Sequence, residues 1–154
     1  MKIPEVKMRN FYFTIYDTKV SPGIPGESAF FQNGIDYQIP SDLSLLSNKT
    51  ISIIGDGLYA LESAAVLSGI CRKIYMINEG GKFCAPAAIS SKILSLPSVF
   101  PLYYTVPQQL MSETGRLTGL SVRDKTNGNT AMINCSFILN AQDICGRVSP
   151  SVNM

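Results

Sequence analysis

The chain has 154 residues, of which 45% are hydrophobic and 16% are charged, and its formal net charge is +2. This length allows one domain with its own core, while the charged fraction is below the roughly 25% usual for soluble domains and hints at an apolar surface that something covers. The sequence has no dense basic run and no apolar run near the ~18 residues of a membrane span, which argues against nucleic-acid-binding and membrane proteins. The N-terminus also lacks an apolar signal core, so a cytoplasmic protein is expected.

The residue types exclude several kinds of catalytic site. The sequence contains no histidine, which removes the commonest general base and the commonest metal ligand. Its cysteines form no C-x-x-C pair, so they predict neither a zinc site nor a redox dithiol. We predict no metal site and no catalytic residue, and we interpret the thiols as buried and unreactive, apart from Cys84, which lies in a loop near the proposed ligand site. The four are Cys71, Cys84, Cys135 and Cys145.

In chain order, the first predicted element is a strand within residues 8–20, marked by the aromatic run Phe11-Tyr12-Phe13. Turn residues follow at 21–27, and Asp42 is expected to cap a short turn over 43–46. We expect one domain over 1–154. Its core spans about 22–145, with an N-terminal strand segment at 1–21 and a C-terminal tail at 146–154.

The centre of the sequence predicts a strand–turn–helix–strand unit. An apolar strand near 51–54 leads into Gly55–Ala60, which fits G-x-G-x-x-A, and a helical pattern near 58–68 stops at Gly69. A second apolar strand is expected near 74–77. Strand, glycine turn, helix and strand form the βαβ unit that binds dinucleotides.

Each residue type in this unit has a chemical reason. Gly55 permits a sharp turn, Gly57 lets a pyrophosphate approach the backbone, and Ala60 lets the helix lie close to the strand. The helix N-terminus offers free N–H groups and partial positive charge to the phosphates. Glu79 lies 24 residues after Gly55 and, with Asn78, is the candidate partner of a ribose hydroxyl. The alternative is a plain tight turn without a ligand.

The second half of the chain predicts further strands. A short helix is expected within 86–96 and a third strand near 100–104. Hairpin strands are expected at 117–124 and 131–135, joined by a turn with Asn127-Gly128, and a last core strand at 137–139. The predicted fold is therefore α/β: a Rossmann-like NAD(P)-binding domain with a central parallel sheet, flanking helices and an added antiparallel hairpin.

The order of these motifs resembles the pyridine-nucleotide-binding domain of the thioredoxin reductase family, the FAD-dependent pyridine nucleotide-disulfide oxidoreductases. The resemblance covers about residues 10–145. It implies a dinucleotide site in the βαβ unit. The matching segments are 23–27, 34–37, 49–62, 74–77, Phe83, Ala85 and 115–120.

The sequence departs from this family in its redox parts. The family's redox C-x-x-C is absent, because Gln38 and Ser41 occupy the cysteine places, and the neighbouring Asp42 is left without a dithiol. No FAD fingerprint is found, so FAD is not expected. Hydride transfer would then require a separate flavoprotein, which could also cover the apolar face; homo-oligomerisation is the alternative cover.

Other departures concern the nucleotide. NADP-type members carry His-Arg-Arg and a further Arg after the second strand, where this sequence has Asn78, Glu79, Gly80 and Cys84. No cation remains at those places to pair with a 2′-phosphate, so NAD(H) is expected and NADP(H) is disfavoured. The other candidate cofactor-binding positions also depart from the family. Leu58 and Tyr59 replace small polar residues, and Ala141 replaces a glycine that lines the nucleotide cleft. Asp56 brings negative charge near the expected position of the pyrophosphate.

Two hypotheses of different classes follow from the sequence. The first is a stand-alone nucleotide-binding module that binds NAD(H) and serves a separate flavoprotein. The second is a degenerate, non-catalytic relative kept as an interaction or regulatory module, in which Asp56, Tyr59 and Ala141 disfavour the nucleotide. A third possibility is that the chain is a fragment of a larger reading frame.

Overall fold

The structure, a computed structural model, describes residues 24–142. The predicted strand within 8–20, the tail at 146–154 and Cys145 lie outside the described residues. Within 24–142 the chain forms two β-sheets, three α-helices and one 3-10 turn. No helix of this part of the chain is long and apolar enough to cross a membrane.

A parallel sheet of five strands forms the centre of the fold, in the order β1-β8-β2-β3-β4. All four strand pairs are parallel. Strands of such a sheet are covered on both faces and therefore consist of nearly continuous apolar residues, as in residues 51–54, which are all buried. The strands are β1 (Ile35–Asp36), β2 (Thr50–Ile54), β3 (Lys73–Ile77), β4 (Val99–Leu102) and β8 (Phe137–Asn140).

Two of the helices cover one face of this sheet. The small and apolar side of α2 packs, together with Ile93 of α3, against Ile51, Ile53 and Met76 of the sheet. As predicted, Asp42 caps the 3-10 turn by accepting a hydrogen bond from the Ser44 N–H at 3.1 Å. The helices are α1 (Glu27–Phe30), α2 (Leu58–Leu67) and α3 (Ala87–Leu94), and the 3-10 turn spans Leu43–Leu46.

A second, antiparallel sheet covers the other face. Its strands are β5 (Thr105–Glu113), β6 (Arg116–Asp124) and β7 (Thr130–Asn134), in that order. Leu120 and Ile133 of this sheet share an apolar cluster with Ile54 and Ile138 of the parallel sheet, and Phe30 of α1 packs against the same cluster. The fold is thus an α/β arrangement of three layers, and the predicted parallel sheet, α2 and hairpin are confirmed.

In the second sheet, one strand differs from the sequence prediction and the hairpin loop agrees with it. Strand β5 was not predicted, because residues 107–109 are Pro, Gln and Gln and only Thr105 and Leu110 in this strand are buried. The loop between β6 and β7 covers 125–129, in agreement with the turn predicted between strands at 117–124 and 131–135. Gly128 has φ 76°, and its N–H donates to the Asp124 carbonyl at 2.8 Å.

Candidate functional site

The glycine turn lies where the direction of chain progression across the parallel sheet reverses. From β2 the chain proceeds to β3 and β4 on one side, and it returns as β8 on the other side of β2. In open α/β sheets, ligands bind outside the carboxyl ends of the two strands at this reversal. Here these ends carry Gly55, after β2, and Ala141, after β8.

The backbone at Gly55 requires a glycine. Its φ is 145°, a conformation that other residues rarely adopt, and its N–H donates to the Ile77 carbonyl at 3.1 Å. A side chain at this position would collide with the backbone carbonyl of Ala141, whose N–H donates to the Ile54 carbonyl at 2.8 Å. The turn and the end of β8 are therefore in direct contact, and Ala141 is buried.

The start of α2 faces this reversal. Gly57 is the N-cap residue, in an extended conformation, and no side chain caps the helix there. The first N–H groups of an α-helix have no partner within the helix and carry partial positive charge, which suits an anion. Ala60 is fully buried against the sheet, as the predicted close approach of helix and strand requires.

Three predicted site residues lie within or directly after the glycine turn. Leu58 and Tyr59 are each 38% exposed, and the Tyr59 hydroxyl donates to the Tyr37 carbonyl at 3.0 Å. The Asp56 carbonyl accepts a 2.6 Å hydrogen bond from the Cys84 N–H, so the loop after β3 is joined to the glycine turn. Asp56 is half-buried and directly precedes Gly57, the N-cap residue of α2.

The structure separates the two candidate ribose residues. Asn78 is fully buried, and its side-chain amide donates to the Lys82 carbonyl at 2.9 Å and accepts from the Gly80 N–H at 2.8 Å. Asn78 therefore shapes the loop after β3. Glu79 has a side chain that is 64% exposed, and it is the one available to a ligand.

Sequence reasoning missed a cation beside Glu79. The Lys125 ammonium lies 3.7 Å from a Glu79 carboxylate oxygen, although the two residues are far apart in the chain. Lys125 is the first residue after β6, and its N–H donates to the Tyr104 carbonyl at 2.7 Å. No local signal marks this lysine, because its position depends on how the second sheet packs on the first.

A buried carboxylate lies at the same edge of the sheet and was also missed. Glu27, only 7% exposed, accepts hydrogen bonds from the Ile24 N–H at 2.9 Å, the Asn140 amide at 3.5 Å and the Tyr37 hydroxyl. Burial and this hydrogen bond to Glu27 raise the pKa of Tyr37 to about 12. Tyr37 is therefore a neutral hydrogen-bond donor at ordinary pH. The sequence feature that could have indicated the buried carboxylate is the position of Glu27 directly after Gly26, in a stretch of turn residues.

The described thiols do not form a redox pair. Cys71, Cys84 and Cys135 are free, and burial raises the pKa of both Cys71 and Cys135 to about 11. These two match the prediction of buried thiols, whereas Cys84 is exposed. Within residues 24–142 no group of three or more Cys, Asp or Glu side chains is arranged to hold a metal ion.

Comparison with curated proteins finds relatives named thioredoxin reductase. The chain is 31% identical over 104 residues to the one from Spironucleus barkhanus and 28% identical over 116 residues to the one from Treponema pallidum. These matches cover 68% and 75% of this chain but only 34% and 38% of the relatives. The thioredoxin reductase of Mycoplasma pneumoniae is 30% identical over 118 residues, which are 75% of this chain and 37% of that protein. The chain thus spans somewhat more than a third of the length of these relatives.

Solved structures agree on the fold. The thioredoxin reductase from Giardia duodenalis superposes with a TM-score of 0.74 at 24% identity, over 80% of this chain and 40% of that one. The thioredoxin reductase from Streptococcus pyogenes gives 0.75 at 15% identity over the same shares. No protein-family model matches the chain.

Proposed function

Because the chain belongs to the thioredoxin reductase family and matches part of that family's pyridine-nucleotide-binding domain, we propose that it binds a pyridine dinucleotide, NAD(H), at the glycine turn after β2. The observation that carries the proposal is the contact between Gly55 and the Ala141 carbonyl, which fixes the turn at the sheet reversal. A pyrophosphate at this point meets the uncapped start of α2.

Roles for the neighbouring residues follow from their positions. Gly57 presents backbone without a side chain to the pyrophosphate, and the buried methyl of Ala60 keeps α2 close to the sheet. Glu79 accepts a hydrogen bond from a ribose hydroxyl, while Asn78 supports it by holding the loop. Leu58 and the ring of Tyr59 form the apolar side of the approach.

We expect NADH to bind more tightly than NADPH. A 2′-phosphate adds close to two negative charges beside the Glu79 carboxylate, whereas the 2′-hydroxyl of NADH donates a hydrogen bond to it. A charged hydrogen bond gained or lost contributes about 1–3 kcal/mol, which corresponds to roughly 5- to 150-fold in affinity. Glu79→Arg is expected to narrow or reverse the preference. Calorimetric titration of the purified protein with each nucleotide measures the difference.

A substitution at the pyrophosphate position tests the site itself. Gly57→Val places a branched side chain at the start of α2, so affinity for both nucleotides is expected to be lost. Gly69→Val is the matched control, because a Cβ at Gly69 meets nothing within 4 Å. Equal binding by Gly57→Val and the unmodified protein would contradict the proposal, and thermal unfolding verifies that both variants are folded.

We further propose that hydride transfer requires a separate flavoprotein. The sequence has no histidine and no C-x-x-C, and Gln38 and Ser41 stand at the family's cysteine places. NADH bound to this chain would supply the hydride, and the flavin of the partner would accept it. The test measures the rate at which NADH reduces a purified flavoprotein partner. We expect this rate to rise when this chain is present, but not when its Gly57→Val variant is present instead.

A second candidate function, an interaction module without nucleotide, is favoured by an exposed aromatic group beside the site. The rings of Phe31 and Tyr37 have centroids 5.3 Å apart, and the Tyr59 hydroxyl donates a hydrogen bond to the Tyr37 carbonyl. Phe31 is 42% exposed and Tyr59 38% exposed. Exposed aromatic side chains are enriched where proteins meet. Failure of either nucleotide to bind at millimolar concentration would favour this candidate.

A further inference from the structure

We propose that Lys125 is a specificity-determining residue of this nucleotide site. In the unmodified protein it is paired with Glu79, and in the absence of Glu79 its ammonium is available to a 2′-phosphate. Glu79 and Lys125 thus act together in choosing between NADH and NADPH. This inference rests on the proposed function, because it concerns the ribose end of the same site.

Backbone hydrogen bonds place Lys125 next to the loop after β3. The Tyr104 N–H donates to the Gly80 carbonyl at 3.0 Å, and the Tyr104 carbonyl accepts from the Lys125 N–H at 2.7 Å. Tyr104 bridges the two segments in a left-handed conformation, with φ 53°. The main chain of Lys125 is therefore fixed relative to Glu79 independently of their ion pair.

The loop that carries Lys125 is held at both ends. The Asp124 carboxylate accepts from the N–H of Thr126 at 2.8 Å and from its hydroxyl at 2.6 Å. The Asp124 N–H donates to the Asn129 carbonyl at 2.8 Å, which closes the loop between β6 and β7. A closed loop limits the positions that the Lys125 side chain can reach.

Because the ion pair is exposed, it affects the binding of a charged ligand more than the stability of the fold. Its charged atoms are 3.7 Å apart, and the side chains of Lys125 and Glu79 are 44% and 64% exposed. Exposed pairs contribute little to stability, so either residue can be replaced without unfolding the protein. A dianionic 2′-phosphate next to this pair is repelled by the carboxylate and attracted by the ammonium. Removing the carboxylate leaves the attraction alone.

Four proteins test the inference: the unmodified chain, Glu79→Gln, Lys125→Ala and the double variant. Calorimetry gives the Kd of NADPH divided by that of NADH for each. We expect Glu79→Gln to lower this ratio about tenfold when Lys125 is present. In the Lys125→Ala background we expect it to lower the ratio about threefold or less. The difference between the two effects is the size usual for an exposed charge pair. The NADPH affinity of Glu79→Gln is also expected to fall with added salt more steeply than that of the double variant.

The controls separate this inference from the proposed function. Lys82→Ala removes another cation from the loop after β3 and is expected to leave the effect of Glu79→Gln unchanged, while Lys125→Arg should retain it. Equal effects of Glu79→Gln with and without Lys125, in a protein that binds NADH, overturn the role of Lys125 and leave the proposed function standing. Absence of binding of NADH and NADPH to the unmodified protein overturns both.

Discussion

At the scale of single residues, Gly55 is the position in the site where a glycine is most strictly required. Its φ of 145° and its contact with the Ala141 carbonyl leave no room for a Cβ. Replacing it therefore combines backbone strain with displacement of the end of β8. These effects act on folding before any ligand is present.

We expect Gly55→Ala to lower the free energy of unfolding by about 2–4 kcal/mol, since strain at such positions alone costs about 1–3 kcal/mol. Chemical denaturation measures the change. Gly69→Ala serves as the comparison, because a Cβ there meets nothing within 4 Å and its effect should stay within about 1 kcal/mol. Equal stability of the two variants would contradict the steric argument.

Tyr37 gives a prediction about pH. Its folded-state pKa of about 12 is above the ordinary value of 10.0, because of burial and the hydrogen bond to Glu27. Because the pKa is raised in the folded state, the neutral phenol contributes fully to the free energy of unfolding below pH 10, and this contribution is lost as the pH rises towards 12. We expect the unmodified protein to lose more stability across this window than Tyr37→Phe.

At neutral pH, Tyr37→Phe is expected to be less stable by about 1–3 kcal/mol, because it leaves the buried Glu27 carboxylate short of one donor. Denaturation of both proteins at a series of pH values measures the two effects. Identical pH dependence of the two stabilities would show that Tyr37 does not titrate as argued.

At the scale of elements, strand β6 joins the two sheets. Leu120 is fully buried and faces Leu110 of β5 and Ile133 of β7 across the strand pairs. It also belongs to the apolar cluster shared with β2 and β8. The packing of β6 therefore determines where the following loop, and with it Lys125, lies relative to Glu79.

Leu120→Ala is expected to lower the free energy of unfolding by about 2–5 kcal/mol, since it removes buried methyl groups and leaves a cavity. Met132→Ala is the matched control in the adjoining strand, because Met132 is 54% exposed and its truncation should change stability by no more than about 0.5 kcal/mol. Similar losses for both variants would argue against the shared core.

At the scale of the whole molecule, the site is assembled from distant parts of the chain. The order β1-β8-β2-β3-β4 brings the residue after β8 against the turn after β2. The second sheet adds Lys125 from its β6–β7 loop. The chain spans somewhat more than a third of the length of its thioredoxin reductase relatives.

The sequence by itself determined the parts that depend on local patterns. Short apolar runs predicted β2 and β3, the glycines predicted the turn, and helical periodicity predicted α2, all of which are confirmed. The asparagine–glycine pair marked the hairpin of β6 and β7, and the observed loop lies between the predicted strands. These features have strong local energetic causes, such as glycine conformational freedom and the alternation or continuity of apolar residues.

Only the tertiary structure decided the rest. Strand β5 is polar along much of its length and is a strand because it pairs with β6, a long-range interaction that no local pattern reveals. The burial of Asn78 and the exposure of Glu79, adjacent residues with the same predicted role, depend on what packs around the loop. The nearness of Lys125 to Glu79 likewise depends on packing between the two sheets, because contacts between residues far apart in sequence are determined by topology and core packing rather than by the residues alone.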